Sequence, residues 1–339
     1  MSETEVRGST VGEIPGRKRL VVIGVGAVFW TWLLARWAYH NTLLDRLFTA
    51  LGFPDLIRSE LGYRQQESWI PAAPFEAVAE AILSAESAVG PLDFLIEWAA
   101  WPFELAAFAT TTEPALASGA FITVYLTILS MLFGLVIAVP LSVARVYGGP
   151  VLSGISLVYT ELIRGTPLLA QLFFLYFGLP LASFFNGFAF VGEGVVPRAS
   201  ILVAIIGFTI NSSAYQSEYI RSALQSVDAG QLTAARSVGL SKLDGIRHVV
   251  LPQGLRFAIP GWTNEFVYLI KYSSLASFIT VPELFRQARN IGSDTFAFTD
   301  IYVIAALFYL ALVLTTALAM SKLESAVAIP GLGSSARRD

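Results

Sequence analysis

The chain of 339 residues has no cysteine, which excludes disulfides and thiolate metal sites. Histidine is almost as scarce: His40 and His248 are the only two, too few for a histidine metal cluster, so no metal site is expected. Charged residues make up 14% of the sequence, where an average soluble domain has about 25%. No G-x-x-x-x-G-K-[ST] run occurs, so the chain lacks the phosphate cradle needed to hydrolyse a nucleoside triphosphate by itself. Nor does any nucleophile stand at a recognisable spacing from a base, which leaves a membrane enzyme without its machinery. There is no internal repeat and no low-complexity tract to suggest a scaffold.

What fills the chain instead is apolar: 55% of the residues are hydrophobic. A helix needs about 20 such residues to cross a hydrocarbon core of about 30 Å. Runs of that length lie near Leu20 to Tyr39, Gly119 to Val146, Val151 to Pro180, Ala199 to Leu224, Pro252 to Leu275 and Ile301 to Met320. The expected fold is therefore all-α, a polytopic helical membrane protein.

Basic residues near span ends stay on the cytoplasmic side. Arg7, Arg17, Lys18 and Arg19 precede the first span, and Lys322, Arg337 and Arg338 follow the last. The segment from Arg221 to Arg256 has five basic residues against two acidic ones, whereas the loop from Asn41 to Ser118 has three arginines against eleven carboxylates. These biases alternate with the spans and predict both termini in the cytoplasm of a cell-membrane protein. The divisions are a basic tail over 1–19, a first transmembrane helix over 20–39, an acidic extracytoplasmic loop over 40–118, a transmembrane domain over 119–325 and a tail over 326–339. The first span reads as a retained anchor: its apolar run is longer than the ~7–15 residues of a signal peptide, and Arg36 and Trp37 stand where a small-residue cleavage site would be. Topology does not decide this, because cleavage would leave the next loop outside as well. Within that loop Phe75, Val78 and Ile82 recur at helical spacing beside Glu76, Glu80 and Glu86, which predicts an amphipathic helix. Trp98, Trp101 and Phe103 read as interfacial anchors before the second span. The loop is either an acidic solvated cap or a docking surface for an external partner.

The stretch EYIRSALQSVDAGQLTAARSVGLSKLDGIRHVVLPQGLR, from Glu218 to Arg256, interrupts the apolar spans. Between Asp228 and Val238, the residues Leu232, Ala235 and Val238 fall on one side of a short helix, beside Ala234, giving a small apolar face of the kind that enters a partner's groove. Gly239 is suited to the left-handed turn that ends a helix, with Leu240 as its hydrophobic contact. Ser241 and Asp244 resemble a capping box that starts the next helix. On physics alone an ordinary cytoplasmic loop is the first reading.

A second set of polar residues lies inside the spans. The run from Val151 to Pro180 would measure about 45 Å as a straight helix, so it tilts or breaks, and Gly165 and Pro167 with Thr166 between them favour a break. Broken helices mark many transporter sites. Arg164 is costly in lipid and faces protein or water, with Glu161 three residues earlier as a candidate partner. Asn264, Glu265, Lys271, Ser273 and Ser274 form a further cluster. Separated acidic and basic groups suit the ammonium and carboxylate of an amino acid, but each could equally satisfy its neighbours. Glu218 and Arg221 read as an i, i+3 pair holding the interrupting segment.

Ala234, Ala235 and Gly239, followed by Leu251-Pro252, resemble the cytoplasmic signature of permease subunits of ABC importers. ELIRGTPLLAQLFF from Glu161, AYQSEYIRSALQSVDAGQ from Ala214, LPQGLRFAIPGWTNEFVYLIKYSSL from Leu251 and VPEL from Val281 are similar to the polar amino acid branch, the histidine, glutamine and arginine permeases. The resemblance spans about Gly119 to Glu324. It implies a five-helix permease core with one added N-terminal helix, and a coupling helix near 228–240 in which Gly230, Gln231, Thr233, Ala234, Ala235 and Gly239 meet an ATP-binding subunit. It also implies a second permease subunit, the same or a sister chain, an extracytoplasmic solute-binding protein and alternating access for a small polar amino acid. Mg-ATP would be bound by the partner, with no cofactor and no nucleic acid on this chain. Its candidate pathway residues are Glu161, Arg164, Thr166, Gln171, Asn264, Glu265, Lys271, Ser273 and Ser274. The family's usual glutamate before the paired alanines is Thr233 here, its usual aspartate after the lysine of KYSSL is Tyr272, and Val249 stands where isoleucine is common. The competing reading is an ion-coupled secondary transporter of small polar solutes, which would need no docking helix.

Overall fold

The computed structural model describes residues 16–53, 67–84, 93–192 and 196–327. All the regular structure among them is helical. The helices are α1 (Gly16–Tyr39), α2 (Thr42–Ala50), α3 (Ala73–Leu83), α4 (Asp93–Tyr147), α5 (Gly149–Arg164), α6 (Leu168–Phe173), α7 (Leu181–Asn186), α8 (Ala199–Ser226), α9 (Ala229–Ser237), α10 (Lys242–Gly245), α11 (Leu251–Tyr272), α12 (Leu284–Thr295) and α13 (Phe298–Val327). A wider turn at Ile246–Val250 joins α10 to α11, and a tight one at Ser273–Ile279 follows α11. The basic tail over 1–15 and the tail over 328–339 lie outside the described residues. Among those residues α4, α8 and α13 are each long and apolar enough to cross a membrane. The run expected from Val151 to Pro180 is divided among shorter helices, and α11 is more polar than a lipid-facing span.

The bundle is organised on α4 and α8, which pack along one another. One apolar core joins the middle of α4, α6 and α8 around Leu126, Leu172 and Phe208. A second gathers α1, α4, α12 and α13 around Leu33, Leu116, Leu284 and Leu312. The third joins the ends of α4, α8 and α11 around Ala138, Leu224 and Val250. Gly119 permits the approach of α4 to α12: a Cβ there would fall 2.8 Å from the Leu284 Cα.

The boundary expected between residues 118 and 119 falls inside a continuous helix. At 55 residues, α4 is about 82 Å long against a core of about 30 Å. Its front half forms a hairpin with α3. Ala79, Ala100 and Ala107 are buried, so small side chains carry this close packing. The helix expected on Phe75, Val78 and Ile82 exists as α3, but Val78 is exposed and Ala79 takes the inward position.

Cross-links between helices set the heights. Trp30 Nε1 donates to Thr315 Oγ1 at 2.7 Å, Trp37 Nε1 to the Ala117 carbonyl at 2.8 Å, and Trp101 Nε1 to Asp300 Oδ1 at 2.8 Å. Of the residues expected as interfacial anchors, Trp101 is tied to Asp300 in the first turn of α13, and Trp98 and Phe103 are exposed. At the level of α1's last turn, Arg36 Nε lies 3.0 Å from Glu113 Oε1, with exposures of 2% and 5% for the two residues. Its Nη2 donates to the Glu67 carbonyl at 2.8 Å and its guanidinium lies over Trp69.

Candidate functional site

Two features at one end of the bundle and in its middle carry the candidate chemistry. At the end, Asp228 caps α9 by accepting a hydrogen bond from the Gly230 amide at 2.7 Å. The helix stops because Gly239 adopts φ +95°, a left-handed conformation that glycine takes without strain. The Gly239 amide then donates to the Arg236 carbonyl at 3.1 Å and the Leu240 amide to the Ala235 carbonyl at 3.2 Å, the paired bonds of a Schellman motif. Ser241 starts the next helix by accepting from the Asp244 amide at 3.2 Å. Lys242 Nζ donates to the Tyr147 carbonyl at 3.0 Å, which ties this turn to the last residue of α4.

The expected apolar face does not point outward as one surface. Leu232 and Ala235 turn inward onto Gly245, so Ala235 is a packing residue of this chain rather than a free partner contact. Gly230, Gln231, Thr233, Ala234 and Gly239 are exposed. Val238, 78% exposed, joins Leu240 and Leu243 in an apolar tip.

In the middle, α5 ends at Arg164 and α6 starts at Leu168, so the helix breaks at Gly165 to Pro167 as its residues predict. Pro167 has no amide hydrogen for the Ile163 carbonyl four residues earlier. Gln171 supplies the missing donor: its Nε2 lies 2.7 Å from that carbonyl and 2.8 Å from Thr166 Oγ1. Its Oε1 accepts from Asn211 Nδ2 of α8 at 3.1 Å. Replacing Gln171 with leucine would leave the Ile163 carbonyl only the longer contacts from Thr166 and would leave the amide of buried Asn211 without its acceptor, at about 1–3 kcal/mol for that buried group. The expected result is a loosened break and transport reduced by about tenfold with the chain still inserted, read as uptake per inserted molecule.

Arg164 does not pair with Glu161. Its Nη1 lies 3.9 Å from Glu218 Oε2, and its guanidinium lies 5.3 Å from the centre of the Tyr215 ring. Glu218 also receives Arg221 at 2.8 Å, the i, i+3 pair expected from the sequence. Glu161 and Thr166 are exposed on the α5–α6 side. On α11, Glu265 is buried with Ser212 of α8 beside it. Tyr219 packs on Gly261 and lies within electrostatic reach of both Glu265 and Arg164. Lys271 Nζ lies 4.9 Å from the centre of the Tyr268 ring. Arg164, Glu218, Glu265 and their tyrosines thus gather between α5, α8 and α11. Asn264 is exposed, while Ser273 and Ser274 donate to the Ile270 and Lys271 carbonyls and serve their own helix. Sequence reasoning missed Asn211, Tyr215, Tyr219 and Tyr268; the AYQSEY run held two of them, but spacing alone does not reveal which face of α8 meets α5. It also left Glu283 unassigned. That buried carboxylate caps α12 through the Phe285 and Arg286 amides and accepts from Tyr309 Oη at 2.9 Å.

Residues 130–328 match the family model described as the binding-protein-dependent transport system inner membrane component. The chain belongs to this family. As a permease it is a multi-pass membrane protein of the ABC transporter class, without catalytic machinery of its own. It is 38% identical over 216 residues to the probable amino-acid ABC transporter permease protein YckA of Bacillus subtilis (strain 168), covering 64% of this chain and 90% of that one. Against the glutamine transport system permease protein GlnP of Escherichia coli (strain K12) it is 36% identical, over 62% of this chain and 92% of that one. A crystal structure of an amino acid ABC transporter with histidines superposes with a TM-score of 0.54 at 33% identity, covering 63% of the permease and 94% of that chain. The gradient-driven alternative is not favoured by these relatives.

Proposed function

We propose that this permease imports a polar amino acid, with a separate ATP-binding subunit docked on the α9 tip. The observation that carries the reading is the tip itself, an exposed helix stopped by Gly239 and ending in Val238, Leu240 and Leu243, on a chain with no nucleotide cradle. An apolar tip in water calls for a partner, and ATP with its Mg²⁺ would be held there; this chain would bind no cofactor. The charge bias of the loops supports an α9 end in the cytoplasm together with both termini. A second permease subunit, the same chain or a sister, would complete the passage, and a solute-binding protein would deliver the substrate outside.

The substrate class draws on the Arg164, Glu218 and Glu265 cluster, which offers both signs of charge to a zwitterion, and on relatives whose names include amino-acid and glutamine transport. In alternating access, closure of two ATP-binding subunits would move the α9 tips together. The break at Gly165 to Pro167, stitched by Gln171, supplies a joint near the polar cluster. Mild membrane extraction of the chain from its host should recover a nucleotide-binding subunit, identified by mass spectrometry, in about equal amount. Repeated recovery of the chain alone, with uptake into liposomes that needs no ATP, would overturn this reading.

A further inference from the structure

The groove that holds the polar cluster is bridged at one end. Both α5 and α11 pack on α8, and past the cluster their continuations, α6 and the turn Ser273–Ile279, pack on one another. This end lies away from α9, because α5 starts just after the Tyr147 that Lys242 holds and α11 starts just after α10. Across the bridge the Phe173 ring stands edge-on to Phe278 with centroids 6.5 Å apart, and the Tyr176 and Thr280 hydroxyls share a hydrogen bond at 3.3 Å. The bridging segment is held in a costly shape. Thr280 has φ +67°, in the left-handed region where a β-branched side chain is an outlier. The Ser277 hydroxyl is buried without a hydrogen-bond partner among the described residues. Costs of this kind persist only where the surroundings impose them, and they gather at segments that switch conformation. Restraints do flank Thr280. Before it, the Thr280 amide and Arg286 Nη1 both donate to the Ser277 carbonyl, at 3.2 and 3.0 Å. After it, the buried Glu283 accepts from the Phe285 and Arg286 amides at 2.8 and 2.7 Å and from Tyr309 Oη of α13 at 2.9 Å. The Leu284 amide donates to Thr123 Oγ1 of α4 at 3.3 Å.

We propose that the segment from Ser273 to Glu283 closes the substrate groove at the end away from α9, with the Tyr176–Thr280 bond as its catch and Glu283 as the positioning residue that keeps it shut. Glu283 acts through its partners: it fixes the start of α12 against α13, and so sets where the strained turn meets α6. Opening the catch relieves Thr280 and frees the Ser277 hydroxyl to find a partner, so the cost stored in the closed segment favours its release once the helices move. The inference rests on the proposed passage between α5, α8 and α11 and names what shuts it.

The test uses the complete transporter, with its ATP-binding subunits, in proteoliposomes loaded with labelled glutamine, histidine and arginine, and follows their loss in the absence of ATP. Tyr176→Phe removes only the catch and should raise that loss about threefold, the equivalent of one neutral hydrogen bond. Glu283→Gln keeps the size of the side chain but has one accepting oxygen in place of two. It should raise the loss about tenfold or more, with labelled sucrose retained and uptake per ATP hydrolysed reduced. In Tyr176→Cys/Thr280→Cys the two thiols are unique, because the chain has no cysteine, and joining them with a short bifunctional reagent should stop ATP-driven uptake. Loss at the unaltered rate in both Tyr176→Phe and Glu283→Gln, or normal uptake by the cross-linked pair, overturns the closure while leaving the permease function intact. A Glu283→Gln chain that melts early without leaking makes Glu283 a residue of stability alone and overturns its positioning role. Uptake by the unaltered complex that needs no ATP overturns this inference together with the reading beneath it.

Discussion

Gly239→Val is expected to abolish coupled uptake while the permease still inserts at near-normal amounts. Nothing lies within 4 Å of a Cβ built on Gly239, so space is not the obstacle. Conformation is. At φ +95° an L-residue meets its own carbonyl at a cost of about 1–2 kcal/mol, and a β-branched side chain meets it more severely. Relief of that strain would break the bonds from the Gly239 and Leu240 amides, so α9 would no longer stop at the same place and the tip of Val238, Leu240 and Leu243 would turn away from its partner. Uptake in proteoliposomes containing the ATP-binding subunits should fall by at least about tenfold, the change that a misplacement costing about 1.4 kcal/mol produces. Gly239→Asn should retain much of the activity, since asparagine tolerates the left-handed region. Normal uptake in the valine variant would remove the turn from the coupling mechanism.

The second large effect is on stability. Arg36→Ala would leave the Glu113 carboxylate buried without its counter-charge and free the Glu67 carbonyl from its donor. Breaking a buried pair by removing one member costs about 3–5 kcal/mol. The expected readout is early thermal unfolding in detergent, followed by tryptophan fluorescence because Trp69 lies against the same guanidinium. The paired change Arg36→Met/Glu113→Leu should recover most of the loss, since apolar side chains of similar size remove both buried charges at once. Equal melting of Arg36→Ala and the unaltered chain would mean that the pair is solvated rather than buried.

Legibility followed the range of the interaction. Gly239, Ser241 with Asp244, the break at Gly165 to Pro167 and the Glu218–Arg221 pair are all decided within a few residues, and each was readable from the chain itself. Arg164 was assigned to Glu161, its neighbour in sequence, because nothing local points to Glu218, 54 positions away. The inward turn of Ala235 likewise depends on Gly245, brought beneath it by the turn between them. The missed continuation of α4 has a particular cause. The run from Thr110 to Pro114, just ahead of the apolar run at Gly119, carries three threonines, a glutamate and a proline. In the fold Arg36 compensates the glutamate, two of the threonines donate to helix carbonyls among buried residues, and neighbouring helices tolerate the proline. None of those compensations can be seen from residues 110–114 alone.

The length of α4 makes it a lever. Along a contour of about 82 Å that passes Pro102, Pro114 and Pro140, a rotation of about 10° about the midpoint would swing the ends by up to about 7 Å in opposite directions. The Lys242 ammonium grips one of those ends at Tyr147, and the α3 hairpin hangs on the other. A small rotation in the middle of the bundle, hardly more than one side chain sliding past another, would be magnified at both ends of α4 into displacements about the size of a helix turn.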